Sequence, residues 1–143
     1  MQFELKLLPE TLFITVNIVD RYLSKCSLAL IKLQLLGITA MLIASKFQEI
    51  YPPLMSDLLL TTCNAFSARQ MKAMETRVLQ VIEFDVNCTP SQTFLENYSR
   101  AAFISQPRVL NYASFLLDLA LIKVEFLQFK TSLVTFCALA MAL

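Results

Sequence analysis

A single glycine, Gly37, stands in the whole 143-residue chain. Hairpin turns draw on glycine because it alone adopts positive φ at no steric cost. A chain this poor in glycine has little means of reversing strands, and its five prolines are sparse breakers. Strict apolar–polar alternation is absent, so no strand is expected, and the fold class is all-α. The same shortage removes glycine-rich phosphate loops and the dinucleotide fingerprint.

Helical spacing runs through the chain. Pro9 suits a first helical turn, and Leu12, Val16, Val19 and Leu23 recur as one stripe of a helix ending near Ser24 to Ser27. A second helix, from about Leu30 to Phe47, is apolar nearly all round and should be central and buried. Gly37, Ala40 and Ala44 line one side of it, which predicts close approach of a neighbouring helix. Pro53 can open a short third helix to Thr61, followed by a turn over 62–66. Ser67 and Gln70 have capping-box spacing and start a helix with Met71, Met74, Val78 and Val81 on one face, stopping near Phe84. After a linker, Thr89-Pro90-Ser91-Gln92 repeats the start logic, with Thr89 as cap. Phe94, Leu95 and Tyr98 give that helix its buried side. Another helix begins near Pro107 with Leu110, Ser114, Leu117 and Leu121 inward, and a last one runs from about Phe129. About seven helices with short connections are expected.

Hydrophobic residues make up 57% and charged residues 16%, so a large core is possible and an apolar face can be left for a partner. With 12 basic and 11 acidic residues and no basic run, there is no electrostatic footprint for nucleic acid. Histidine is absent, which removes Ser-His and Cys-His catalysis, and no CxxC pair exists among Cys26, Cys63, Cys88 and Cys137. No metal, no cofactor and no catalytic residue is expected, and the cysteines read as buried free thiols in a reducing compartment. The N-terminal MQFELKLLPE has no secretory pattern. The uncharged stretches from Leu33 to Ser45 and from Thr131 to Leu143 fall short of the roughly 20 residues of a membrane span, so no membrane is expected.

Three segments carry a specific resemblance. Glu10-Thr11-Leu12-Phe13, Asn17 and Asp20-Arg21-Tyr22-Leu23-Ser24 look like the second helix of a cyclin box. The string from Lys32 to Pro53, KLQLxGxxAMLxASKFxEIYPP, looks like its third helix and the turn after it. Met74-Glu75, then Val78-Leu79-Gln80-Val81 and Phe84-Asp85, resemble the fifth. The match spans Glu10 to about Tyr98 in consistent order, and A/B-type (mitotic) cyclins are the most similar group. The resemblance implies a cyclin-box helical bundle: residues 1–86 as an N-terminal box lacking its first helix, and residues 87–143 as the first three helices of a C-terminal box. It also implies a chain truncated at both ends, found in the nucleus and cytoplasm. The implied activity is non-enzymatic: binding and activation of a cyclin-dependent protein kinase in the cell cycle.

Carried over by that resemblance, the kinase-facing residues are Lys46, Phe47, Glu49, Glu75 and Phe84. Alone, Lys46 would merely complement a helix C-terminus, Glu75 would be a solvated charge, and Phe47 and Phe84 would be core. Within SKFxEIYPP and the Met74-Glu75 context, the kinase reading is preferred for Lys46 and Glu75, while Phe47 and Phe84 stand evenly between core and interface. Gln48 stands where the family usually has glutamate, which removes one charge. Leu33 and Gln34 resemble part of a docking patch for RxL-type substrate motifs. The rest of that patch reads MRAIL in the family and is absent from this sequence. A nucleic-acid-binding cyclin fold of the transcription factor IIB type is the alternative, disfavoured because phosphate binding needs a basic face. A small helical membrane protein is a third reading.

Overall fold

The computed structural model describes residues 5, 7–63 and 65–143. The N-terminal MQFE and Asn64 of the expected turn lie outside them. The described residues form seven α-helices: α1 Pro9–Lys25, α2 Leu33–Gln48, α3 Met55–Thr61, α4 Ala68–Val81, α5 Ser91–Ala101, α6 Pro107–Leu121 and α7 Thr131–Ala142. Short 3-10 segments, Leu30–Lys32 and Val124–Gln128, precede α2 and α7. No strand occurs among the described residues, as expected. The chain divides into two compact units, Met1–Cys88 and Thr89–Leu143.

In the first unit α2 is the axis, with α1, α3 and α4 packed on it. Ten of its residues are buried, from Leu35 to Ser45. The helix together with its 3-10 lead, Leu30–Gln48, is long and apolar enough to cross a membrane by length and composition, but much of it lies inside this core. Thr39 and Ser45 are tolerated there because their hydroxyls donate to the backbone carbonyls of Leu35 at 2.7 Å and Leu42 at 2.9 Å.

The buried stripe of α1 differs from the expected one. Thr11, Ile14, Ile18 and Tyr22 face inward, while Leu12, Val16 and Val19 are half-buried and Leu23 is exposed. Both stripes have helical spacing. The threonines hide the true one, because Thr15 satisfies its hydroxyl internally by donating to the Thr11 carbonyl at 2.6 Å. Gly37 also departs from expectation: a Cβ added there would meet nothing within 4 Å, so no close helix approach uses it. Ala40 and Ala44 beside it are fully buried. Pro53 does not open α3. The helix starts two residues later, where the Leu54 amide donates to Asp57 Oδ2 at 3.2 Å.

The Ser67 capping box forms: the Gln70 amide donates to Ser67 Oγ at 3.3 Å, and the Ser67 amide to Gln70 Oε1 at 2.8 Å. In α4, Met71, Met74 and Val78 are buried, and Ile82, just past the helix end, joins them while Val81 is only half-buried. Thr89 does not cap α5. Its N-cap is Pro90, which offers no side-chain acceptor.

The second unit packs α5, α6 and α7. Leu95, Ala113, Leu117, Ala138 and Leu139 are buried there, and Leu110, Ser114 and Leu121 are half-buried. Phe94 and Tyr98 lie tilted to each other with ring centroids 6.0 Å apart, and Phe136 meets Tyr98 edge-on at 6.2 Å.

The want of glycine shows in how helices end. Cys63, Glu83 and Phe103, the residues just past the C-caps of α3, α4 and α5, have φ of 52°, 60° and 56°. Glycine is the usual occupant of that left-handed position. At α4 and α5 the backbone closes in the Schellman pattern: the Glu83 and Phe84 amides donate to the carbonyls of Gln80 and Leu79, and those of Phe103 and Ile104 to Arg100 and Ser99. The left-handed cap at Glu83 ends α4 at Val81, three residues before the expected Phe84. All four cysteines are free and, contrary to expectation, none is buried: Cys26 and Cys88 are half-buried, and Cys63 and Cys137 are exposed.

Candidate partner-binding surface

Lys46 occupies the last turn of α2, and Glu75 lies midway along α4. The packing of α4 on α2 brings them together: Lys46 Nζ lies 2.6 Å from Glu75 Oε1. The lysine side chain is half exposed and the glutamate largely covered, at 50% and 17%. With its lysine half in water, the pair contributes about 0–1 kcal/mol to stability.

Apolar groups flank the pair in sequence. Phe47, directly after Lys46, is 52% exposed, and Ile50 and Tyr51 on the following loop are more so. Phe84, beyond the end of α4, is 67% exposed. Large apolar side chains held in solvent mark a surface suited to a partner.

Glu49 behaves differently from its neighbours. Its Oε1 accepts from the Leu8 amide at 2.8 Å and from the Thr11 hydroxyl at 2.6 Å. Leu8 is the N-cap of α1 and cannot cap it with its own side chain. Glu49 supplies that function from the far end of α2, placing a negative charge where the helix dipole favours one.

The other end of α1 is tied to the other flank. Arg21 Nη1 donates to the Asp85 carbonyl at 2.7 Å, and Nη2 to the Ile82 carbonyl at 3.4 Å and to Asp85 Oδ2 at 3.2 Å. Lys25 Nζ donates to the Val81 carbonyl at 3.1 Å and to Glu83 Oε1 at 2.9 Å. The hydrogen bond from Lys25 holds the Glu83 carboxyl below its ordinary pKa. Sequence reasoning quoted Thr11 and Arg21 as motif residues but assigned them no contact. Their partners lie tens of residues away, beyond any local pattern.

Leu33 and Gln34 lie in the first turn of α2, both exposed, next to exposed Leu30 and Ile31. Among the described residues no cluster of three or more His, Cys, Asp or Glu could hold a metal ion.

The family description "Cyclin, N-terminal domain" matches residues 1–87, and "Cyclin, C-terminal domain" matches residues 89–143. Cyclin-B1-2 of Arabidopsis thaliana is 41% identical over 133 residues, which is 93% of this chain and 29% of that protein. The G2/mitotic-specific cyclin-B of Hydra vulgaris is 39% identical over 144 residues, covering 100% of this chain and 39% of its own length. Cyclin-A2-1 of Oryza sativa subsp. japonica is 41% identical over 97% of this chain and 29% of its own. The chain thus spans about a third of the length of these relatives. In fold it is similar to a viral cyclin from herpesvirus saimiri, with a TM-score of 0.88 and 24% identity over 99% of this chain and 63% of that one. Two adjoining cyclin domain matches, on an all-helical chain that superposes on a cyclin structure, establish that this chain belongs to the cyclin family.

Proposed function

We propose that the chain is a non-enzymatic regulatory subunit that binds and activates a cyclin-dependent Ser/Thr protein kinase in cell-cycle control, in the nucleus and cytoplasm. Family membership and the similarity to A- and B-type cyclins support this reading. We read residues 1–86 as the cyclin box that meets the kinase and 87–143 as part of a second box.

The observation that carries the proposal is the Lys46–Glu75 pair, set beside exposed Phe47 and followed by exposed Phe84. The charged pair offers a donor and an acceptor to backbone and polar groups of the kinase. The phenylalanines offer area to bury, about 25 cal/mol per Å² removed from water. A surface that fits the active kinase better than the inactive one shifts the population toward the active form. In that form the catalytic lysine–glutamate ion pair of the kinase is complete. Glu49 acts in this reading chiefly by fixing α1 to the loop that carries Ile50 and Tyr51.

Titration of the chain into a purified mitotic cyclin-dependent kinase lacking its cyclin tests this. Peptide phosphorylation should rise and saturate, and Lys46→Ala should move the midpoint to higher concentration. No binding and no stimulation at tens of micromolar chain, roughly the weak limit of specific association, would refute the function.

A further inference from the structure

Phe84 is held in a conformation its own residue type resists. Glu83 and Phe84 both adopt left-handed backbone, with φ of 60° and 59°. Each such non-glycine residue costs on the order of 1–3 kcal/mol and persists only where surrounding contacts over-determine it. The end of α5 provides an internal contrast. It closes with the same Schellman bonding but uses one left-handed residue, Phe103, followed directly by Ile104. The end of α4 takes a second left-handed step, and that step sets the direction in which the Phe84 ring leaves the backbone.

What surrounds that step is the α1 clasp. Five donations from Arg21 and Lys25 reach the 81–85 segment: three end on the backbone carbonyls of Val81, Ile82 and Asp85, two on the side chains of Glu83 and Asp85. Phe84 itself receives none of them. Its two neighbours are held on both sides while its ring is left exposed. The Ile82 carbonyl also accepts from the Asp85 amide, and the planar guanidinium fork of Arg21 reaches the carbonyls of Ile82 and Asp85 and the Asp85 carboxylate at once. The bonds to Val81 and Ile82 complete the cap that the Schellman bonds begin at Leu79 and Gln80, and those to Asp85 and the Glu83 side chain go beyond it.

We propose that Arg21 and Lys25 are positioning residues that fix the left-handed Glu83–Phe84 turn and so present the Phe84 ring, preorganised, to the kinase. The inference rests on the kinase-binding function proposed above. It predicts that the two basic residues contribute to affinity only through Phe84, without touching the partner.

Two measurements on the full chain separate the positioning from the function. The first uses no kinase. A fluorinated phenylalanine placed at position 84 should give one narrow 19F resonance in the parent and a broadened or split one in Arg21→Gln/Lys25→Gln. The same label at Phe103 should be unaffected by those substitutions. An unchanged line at position 84 would overturn the positioning. Should the double variant fail to fold, as judged by its helical circular dichroism, Arg21→Lys keeps the charge but loses the fork and should broaden the line partway. An unchanged line there is equally fatal.

The second measures affinity for the mitotic kinase. Arg21→Gln/Lys25→Gln and Phe84→Ala should each weaken binding about tenfold, and their combination should be no weaker than Phe84→Ala alone. Additive loss, about a hundredfold, would show that the basic residues act on the partner directly and overturn the inference. A parent chain that binds no kinase would remove the function proposed above, and with it the purpose assigned to Phe84, whatever the fluorine line shows.

Discussion

Helices α2 and α7 are written in much the same alphabet, yet they meet different fates. Each is almost free of charge and apolar nearly all round. In the first unit α2 is surrounded by three helices and buries ten residues. In the second unit α7 has α5 and α6 for neighbours and buries Thr135, Ala138 and Leu139, leaving Leu133, Phe136 and Met141 largely exposed. Apolar composition sets the demand for burial, and the number of packed neighbours decides how much of it is met. Of the two helices, α2 is therefore the more fully packed.

The sharpest way to break this contrast is to truncate one side chain in each helix. Leu42→Ala removes a side chain that is 1% exposed and should cost about 2–5 kcal/mol in denaturant unfolding. Met141→Ala in α7 removes one that is 71% exposed and should change stability by less than about 0.5 kcal/mol. Comparable losses would show that the two helices are packed alike.

Helix starts extend the comparison. Ser67→Ala removes a formed capping box and should cost about 1 kcal/mol, whereas Thr89→Ala, ahead of an α5 that starts without a side-chain cap, should cost far less. Thermal melts of the two variants side by side would decide it. Gly37→Ala carries the opposite sign. With open space around the new methyl group, it should stabilise the chain by about 0.4–1 kcal/mol and raise Tm by a few degrees. A lowered Tm would mean that a neighbour does approach Gly37.

Much of the fold was readable from the residues because the chain has so few ways to be anything but helical. The all-α class, the burial of α2 and the Ser67 box followed from local chemistry: glycine count, apolar periodicity and one serine–glutamine spacing. The failures share a cause as well. The inward face of α1 was masked by its threonines, Thr15 bonding to its own helix and Thr11 to Glu49. The early end of α4 depends on left-handed Glu83 and Phe84, residues that propensity would place elsewhere. The ties from Glu49 to Thr11 and from Arg21 to Asp85 span 38 and 64 residues, so they exist only once the helices have packed. Of the candidate surface, the residues were legible by resemblance. What the resemblance did not carry was that Lys46 and Glu75 bond to each other, or that Glu49 is turned to the start of α1.

The charge exchange Lys46→Glu/Glu75→Lys tests the partner surface most directly. It keeps an ion pair at the same place, so unfolding free energy should stay within about 1 kcal/mol of the parent. It reverses the pattern of charge that the proposed kinase partner would meet, and affinity should fall tenfold or more, roughly 1.4 kcal/mol at least. Undiminished kinase binding by this variant would contradict the assignment of that surface.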